Sequence, residues 1–191
     1  MDRPVPSRVQ AALEFSVRAH RVNRRKDGRT PYVVHPIGVL RRLVSDLAVD
    51  DPELQCIALL HDVVEDTSIS LAEIRRQFGR GVAKGVDDLT LPPGMHGRAV
   101  PDEVKTRRLV DDVRRMGWGS VVVKLCDRWD TLGDVAHARW SATKREGYRD
   151  QTTRILAAVV RRQGKDPPPE RLARPVKTAI AGVRSALRTI R

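Results

Sequence analysis

The sequence has 191 residues, of which 40% are hydrophobic and 4% aromatic, and its formal net charge is +12. This length and composition suit one globular domain with a mainly aliphatic core, and they exclude a disordered chain or a scaffold that depends on disulfides. No apolar run approaches the roughly 20 residues of a membrane helix. The excess of basic residues first suggests a nucleic-acid-binding module, and this hypothesis can be checked against the motifs in the sequence.

The predicted elements of the first half are helices. Apolar residues recur at helical spacing from Ser7 to about Arg21, and a polar loop with glycine and proline follows at 24–31. A second helix is predicted to open at His35-Pro36, because the fixed φ of proline suits the first turn of a helix. A third is expected to begin at Asp51-Pro52 and to run through to Asp66.

The second half is also mainly helical in pattern. Ser70 and Glu73 form a capping box, so a helix is predicted to follow until about Phe78 and to end at Gly79. A loop from Pro92 to Pro101 precedes further helices predicted at 102–116, 143–162 and 170–191. The run 120–126 is ambiguous, since its valines favour a strand whereas a short buried apolar run also fits a helix.

The last predicted helix bears on the nucleic-acid hypothesis. Apolar residues between Val176 and Ile190 recur at helical spacing, which predicts that one face packs on the body and that the arginines face solvent. Because aromatic residues are few and no zinc-finger, RRM or KH motif occurs, we do not expect nucleic-acid binding as the primary function. We expect one domain over 1–191, with its motif-bearing core at about 7–162 and this helix packed on it.

Cysteine usage and the first residues indicate the compartment. Cys56 and Cys126 lie in apolar runs and form no C-x-x-C pair, so two buried free thiols are expected. Residues 1–6 lack the apolar segment of a signal peptide. We therefore expect a soluble cytoplasmic protein without membrane association.

The segment 57–66 contains four ionisable side chains among apolar residues. His61, Asp62, Glu65 and Asp66 place an imidazole and three carboxylates among residues such as Leu60. Burying these groups unpaired is costly, and a divalent cation such as Mn²⁺, Fe²⁺ or Zn²⁺ would offset the cost. The alternative, a solvent-facing polar stripe with a chance histidine, stays open on this segment alone.

Two further residues extend the pattern. His35 lies at the start of a predicted helix, and Asp127 ends the apolar run at 120–126. Each has a simple structural explanation, as a polar residue at a helix terminus or as an exposed cap. Together with His61-Asp62 they supply two histidines and two carboxylates in order, which predicts a divalent metal site.

This ordered pattern resembles the metal-binding signature of the HD-domain phosphohydrolases. The surrounding sequence is similar to the RelA/SpoT-type hydrolase branch, and in particular to the small single-domain alarmone hydrolases of the MESH1 type. The segments that carry the resemblance are RKDG at 25–28, TPYVVHPIGV at 30–39, ALLHDVVEDT at 58–67 and KLCDR at 124–128. The resemblance spans about 7–162 and implies an all-α HD-domain helical fold, hence a buried helix at 120–126.

The resemblance also implies the site residues. Four side chains would coordinate one Mn²⁺: His35, His61, Asp62 and Asp127. Glu65 and Asp66 would position or activate the attacking water. The candidates for nucleotide binding are Arg24, Arg25, Lys26, Lys124, Arg128 and Thr131. For Lys124 and Arg128, purely structural pairing is an equally weighted alternative.

The implied reaction is hydrolysis of the 3′-pyrophosphate of (p)ppGpp to GDP or GTP and pyrophosphate. A divalent ion and carboxylates suit this chemistry, and basic side chains would offset the charge of the substrate. Thr131 stands where the family usually carries Asn, and Asp130 adds a negative charge beside it. Substrate preference therefore stays open: pppApp, NADPH or a nucleoside monophosphate are alternatives, as is an antitoxin role against a synthetase partner's product.

Overall fold

The computed structural model describes residues 7–95, 100–135 and 140–190, and every regular element within these ranges is a helix. The predicted all-α class is confirmed. Residues 96–99 of the predicted loop lie outside the described part of the chain. No helix in that part is long and apolar enough to cross a membrane. The helices in chain order are α1 (Ser7–Ala19), α2 (Val34–Arg41, continued by a π-helical turn over Arg42–Asp46), α3 (Pro52–Leu60), α4 (Val63–Asp66), α5 (Leu71–Leu89), α6 (Asp102–Arg115), α7 (Trp118–Val135), α8 (Ala142–Gln163) and α9 (Glu170–Thr189).

Helix α7 lies at the centre of the core and contains the ambiguous apolar run. It packs against α2, α3, α5 and α9, and the run is at most 5% exposed from Ser120 to Cys126 apart from Lys124 at 8%. Helix propensity disfavours valine by only about 0.5 kcal/mol per residue relative to alanine, whereas burying its side chain contributes about 1.5–3 kcal/mol. Burial therefore decides, and the strand interpretation is wrong.

The predicted third helix is interrupted at His61 and Asp62, the first two polar residues of the candidate site. Asp51 caps its start by accepting hydrogen bonds from the backbone N–H groups of Glu53 (2.9 Å) and Leu54 (3.3 Å). Helix α3 then ends at Leu60, and α4 begins at Val63. On a regular helix, adjacent side chains do not face each other. The break allows the side chains of His61 and Asp62 to meet, with Nε2 and Oδ2 3.1 Å apart.

Helix α5 begins as predicted but continues further. The Ser70 hydroxyl accepts a hydrogen bond from the Glu73 N–H at 3.3 Å. Gly79 adopts φ 82° and kinks the helix, which then resumes and ends at Leu89. The predicted end at Phe78 is wrong because the second segment packs on α3: a Cβ at Gly85 would lie 2.2 Å from Ile57 Cδ1.

We expect Ser70→Ala to lower the free energy of unfolding by about 1 kcal/mol, because α5 loses the acceptor for a first-turn N–H group. Urea denaturation measures the change. Ser185, exposed within α9, is the matched control, since Ser185→Ala removes no helix cap and gains a few tenths of a kcal/mol of helix propensity. Equal losses in both variants would show that the cap contributes nothing.

Helix α9 covers one side of α7. Its buried face consists of Leu172, Pro175, Val176, Ala179, Ile180, Gly182 and Val183. A Cβ at Gly182 would lie 2.5 Å from the Trp129 ring, so the absence of a side chain allows this close approach. Because α7 also carries Asp127, the contact between α9 and α7 supports the helix that forms one wall of the candidate site.

Candidate active site

The four predicted metal ligands come from three parts of the fold. His35 belongs to α2, His61 and Asp62 to the break between α3 and α4, and Asp127 to α7. Ligand atoms of His35, His61 and Asp62 lie within 4.8 Å of one another. Asp127 Oδ1 lies 3.3 Å from His35 Nε2, and Asp62 Oδ2 lies 3.6 Å from the same atom. The structure thus brings all four side chains together.

Both histidines direct Nδ1 away from this cluster. His61 Nδ1 lies 2.8 Å from the Ala58 carbonyl oxygen, which can only accept, so Nδ1 carries the hydrogen. His35 Nδ1 lies 2.9 Å from Asp130 Oδ2. Nε2 of each ring therefore points to the carboxylates, and the buried His61 Nε2 lies 3.1 Å from Asp62 Oδ2. Such a ring nitrogen fits a metal ligand.

Tyr32 orients one of the carboxylates. Its hydroxyl donates a hydrogen bond to Asp62 Oδ2 at 2.7 Å, and its ring stacks at 4.8 Å on the buried ring of His20. Burial, followed by the nearby charges of Asp62 and Asp66, raises the pKa of Tyr32 far above its ordinary value. Tyr32 therefore remains a neutral hydrogen-bond donor at physiological pH.

The electrostatics of the cluster favour a positive charge at its centre. Burial lowers the pKa of His35, but the carboxylates of Asp127, Asp130 and Asp62 raise it to about 9. Burial likewise disfavours the ionised form of Asp62, yet His61 holds the pKa of that carboxyl below its usual range. A divalent cation would provide the compensation that the imidazolium groups give, and two imidazoles with two carboxylates suit Mn²⁺, Fe²⁺ or Zn²⁺.

A cavity of about 590 Å³ opens onto the cluster, and its walls include His35, Asp62 and Asp127. This volume suits a nucleotide-sized molecule. All six predicted substrate-binding residues line it, together with the basic side chain of Lys105: Arg24, Arg25, Lys26, Lys124, Arg128 and Thr131. A ring of cationic groups beside a metal-type cluster favours a phosphorylated ligand.

The loop between α1 and α2 supplies the first three of these cations. Arg25 N–H donates to the Thr30 carbonyl oxygen at 2.8 Å. The Asp27 carboxylate accepts from the Thr30 hydroxyl (2.6 Å) and from the backbone N–H groups of Arg29 (2.8 Å) and Thr30 (2.9 Å). These bonds, with that from the Thr30 hydroxyl foremost, lower the pKa of Asp27 to about 2. The loop is therefore held in place before any ligand binds.

Arg25 and Lys26 each have a partner within the cavity. Arg25 forms an ion pair with Asp134. Lys26 Nζ lies 4.2 Å from the centre of the Trp140 ring, and Lys144 Nζ lies 4.7 Å from the same centre. Two ammonium groups on one indole ring form a compact positive site at the cavity wall.

Lys124 and Arg128 both have structural partners near the cavity. Lys124 Nζ lies 3.2 Å from Asp127 Oδ2. Arg128 donates to Gln151 Oε1 at 2.7 Å and lies 4.7 Å from the centre of the Tyr148 ring. Both side chains are structurally paired, and both also line the cavity.

The two predicted catalytic acids differ in placement. Glu65 lines the cavity, and its Oε2 accepts a hydrogen bond from the Leu91 N–H at 3.3 Å. Asp66 is not one of the described residues that line the cavity, and its side chain contacts Tyr32 instead. Burial, and after it the charge of Asp62, raises the pKa of Asp66 to about 6. Glu65 is thus the acid of the pair that can meet a molecule in the cavity.

Sequence reasoning missed several contributors to this site. Tyr32 had a signal, since it stands in the same segment as His35. Asp130 was noted only as an added negative charge. Trp140 and Tyr148 belong to none of the motifs that predict the site, and both line the cavity. Their positions depend on how α8 packs beside α7, which no local motif encodes.

Known proteins resemble this chain in sequence and in fold. The family model described as HD domain matches residues 12–165. The human protein named guanosine-3′,5′-bis(diphosphate) 3′-pyrophosphohydrolase MESH1 is 33% identical over 152 residues, which cover 78% of this chain and 82% of that protein. The guanosine-3′,5′-bis(diphosphate) 3′-pyrophosphohydrolase of Aquifex aeolicus is 32% identical over 160 residues, but these span only 21% of its length.

A solved structure shows the same fold. It is described as "A metazoan ortholog of SpoT hydrolyzes ppGpp and plays a role in starvation responses". It superposes with a TM-score of 0.76 at 23% identity, covering 94% of this chain and 97% of the other. With the HD model matched over most of the chain and MESH1 matched over most of its own length, this chain belongs to the HD-domain family and, within it, to the MESH1-type hydrolases.

Proposed function

We propose that this protein is a Mn²⁺-dependent hydrolase that removes the 3′-pyrophosphate from ppGpp and pppGpp, giving GDP or GTP and pyrophosphate. The observation that carries the proposal is the cavity, because it joins a cluster of two histidines and two aspartates to six basic side chains. The names of the human and Aquifex relatives supply the substrate class. We further propose that residues 1–191 act as a single hydrolase domain.

The metal would be held by His35, His61, Asp62 and Asp127. The donor set fits, since Nδ1 of both histidines is engaged elsewhere and the Nε2 atoms face the carboxylates. When bound, a divalent ion lowers the pKa of water and polarises a phosphoryl oxygen. Mn²⁺ accepts both imidazole and carboxylate ligands, and the choice of Mn²⁺ rests on the family resemblance.

The remaining residues bind, orient and transfer protons. Glu65 lines the cavity and is proposed to orient the attacking water and accept its proton. Asp66 contacts Tyr32, which donates to Asp62, so Asp66 is proposed to support the water-activating side of the site through this hydrogen-bond chain. The cationic wall would neutralise the phosphates and hold the 3′-pyrophosphate beside the cluster.

The ammonium group of Lys26 gives the proposal a pH dependence. Burial, followed by the charge of nearby Lys144, lowers its pKa to about 8. The positive charge is present below this pH and is lost above it. We expect the KM for ppGpp to rise roughly tenfold between pH 7 and pH 9, the equivalent of one charge-assisted contact, with a smaller change in kcat.

Steady-state kinetics across this range test the Lys26 prediction. In Lys26→Arg the guanidinium stays charged, so this component of the KM rise should disappear. Lys84→Arg on α5 is the control, because Lys84 is exposed and pairs with Asp88 away from the cavity. An unchanged KM profile in Lys26→Arg would assign the pH dependence to another group.

A different nucleotide is the second candidate substrate. Thr131 lines the cavity and hydrogen-bonds with Tyr148, so the residue at the usual asparagine position is engaged by a neighbouring hydroxyl group. Hydrolysis of pppApp, NADPH or a nucleoside monophosphate would use the same metal cluster. A synthetase partner whose product this protein removes stays a prediction, as does the cytoplasmic location.

A panel of nucleotides distinguishes these possibilities. Metal-free protein is reconstituted with Mn²⁺, Zn²⁺ or Mg²⁺ and incubated with ppGpp, pppApp, NADPH and GMP. We expect the fastest reaction with Mn²⁺ and ppGpp, yielding GDP and pyrophosphate. Release of neither pyrophosphate nor phosphate from any nucleotide, by protein that binds Mn²⁺, would rule out the hydrolase function.

A further inference from the structure

Helix α7 contacts both nitrogens of the His35 ring. Asp127 Oδ1 lies 3.3 Å from Nε2, and Asp130 Oδ2, one turn further along the same helix, lies 2.9 Å from Nδ1. His35 is 3% exposed, and the Asp130 side chain is 14% exposed. One histidine is thus enclosed between two carboxylates of a single helix, only one of which belongs to the proposed metal set.

We infer that Asp130 is a positioning residue for the metal site, which fixes the His35 ring so that Nε2 faces the metal, and that Gly38 is required to make room for it. A carboxylate that accepts the Nδ1 hydrogen of a ligating histidine sets its tautomer and orientation and increases its basicity. For His61 the acceptor is a neutral carbonyl oxygen, of Ala58. Asp130 therefore supports the His35 ring as Ala58 supports the His61 ring, but with a charged acceptor.

The opposite side of Asp130 faces a cation. Arg42 Nε lies 3.9 Å from Asp130 Oδ1, and the guanidinium lies 4.4 Å from the centre of the Trp129 ring. Arg42 Nη1 also donates to Asp46 Oδ2 at 3.2 Å. The arginine is fixed by an aromatic ring and a second carboxylate, so its positive charge faces Asp130 Oδ1 while Oδ2 contacts His35.

Gly38 provides the space that this arrangement needs. It lies on α2, one turn after His35, and a Cβ at this position would lie 2.4 Å from Asp130 Oδ1 and 2.8 Å from both Cγ and Oδ2. These are the carboxylate atoms themselves, so an added methyl group must displace the acceptor of the His35 hydrogen bond. Gly38→Ala therefore disturbs Asp130 without altering any ligand.

The inference rests on the metal site of the proposed function, and its test measures metal binding rather than hydrolysis. Mn²⁺ affinity is determined by calorimetry for wild type and variants. We expect Asp130→Ala to weaken Mn²⁺ binding by about 10- to 100-fold. Asp130→Asn should recover part of the loss, because its amide oxygen still accepts from Nδ1 but carries no charge.

A double-mutant cycle separates positioning from general disruption. Gly38→Ala alone should weaken Mn²⁺ binding about tenfold, but by less than about twofold in the Asp130→Ala background, where no carboxylate is left to displace. Gly147→Ala is the matched control: Gly147 is also a helical glycine, and a Cβ there would have nothing within 4 Å. It should leave the affinity unchanged.

A spectroscopic measurement completes the test. In the Zn²⁺-loaded protein, which is diamagnetic, the His35 Nδ1–H resonance should lie far downfield and move upfield in Asp130→Ala, with His61 as the unchanged internal reference. Wild-type affinity in Asp130→Ala, or equal effects of Gly38→Ala in both backgrounds, would overturn the inference. Failure of the wild type itself to bind Mn²⁺ or Zn²⁺ would instead refute the proposed metal site, and this inference with it.

Discussion

Asp62→Asn should abolish high-affinity Mn²⁺ binding and lower the hydrolysis rate by roughly 10³-fold or more, since it removes both a charge and a ligand from the catalytic centre. Oδ2 of this residue lies 3.1 Å from His61 Nε2 and 3.6 Å from His35 Nε2, so one carboxylate oxygen faces both rings. Asparagine preserves the volume and can still accept the Tyr32 hydrogen bond, so the fold should survive.

Loss of metal binding can be measured without any substrate, because Mn²⁺ then no longer raises the free energy of unfolding. At Mn²⁺ concentrations of about 100 times Kd, the wild type should gain about 2.7 kcal/mol of unfolding free energy. Asp62→Asn should gain almost none. Asp134→Asn is the matched control, because Asp134 lines the same cavity but pairs with Arg25 rather than with the cluster. Equal Mn²⁺ stabilisation of wild type and Asp62→Asn would exclude Asp62 as a ligand.

Glu65→Gln is expected to have the second large effect, a fall in kcat of about 10²- to 10⁴-fold, because glutamine cannot accept the proton of the attacking water. Glu65 lines the cavity, while the proposed metal ligands are four other side chains. The KM for ppGpp and the Mn²⁺ affinity should therefore stay within a few-fold of the wild-type values.

Steady-state kinetics and a Mn²⁺ titration of the same preparation check this separation. Asp66→Asn should lose less activity than Glu65→Gln, since Asp66 acts through Tyr32 rather than from the cavity wall. If Glu65→Gln lost Mn²⁺ affinity in proportion to its activity, Glu65 would be a metal ligand. Its proposed role in proton transfer would then be wrong.

Local sequence signals were sufficient for much of the helical framework. The Ser70 cap, the start of α3 at Asp51-Pro52 and the amphipathic pattern of α9 each depend on residues close in sequence. The break at His61-Asp62 had no such signal, because neither glycine nor proline occurs there. It arises where the polar side chains meet partners that are distant in sequence, such as Tyr32 in the turn before α2.

Within the site, too, some features follow from local sequence and others from contacts between distant residues. The order of His35, His61-Asp62 and Asp127 was enough to predict which ligand types converge. The contact between Asp130 and His35 joins residues 95 positions apart and depends on the packing of α7 on α2. A negative charge next to Thr131 in the sequence therefore suggested an effect on the substrate, whereas in the fold it contacts a metal ligand candidate.

The charge of +12 also has a more specific meaning in the folded protein. Part of it lies on the solvent side of α9, where Arg174 and Arg184 are exposed. Another part lines the cavity beside the four-residue cluster. Basic residues at that position favour a small polyphosphate over a long nucleic acid, which a 590 Å³ cavity cannot enclose.

The leaving group provides the most direct test of the proposed hydrolysis. Mn²⁺-loaded protein is incubated with ppGpp labelled at the terminal phosphate of its 3′-pyrophosphate, and the products are separated. We expect the label to leave as pyrophosphate while GDP accumulates, and Asp62→Asn to release it more slowly by roughly 10³-fold or more. Release of the label as orthophosphate, or intact ppGpp after incubation with protein that binds Mn²⁺, would contradict the proposed hydrolysis.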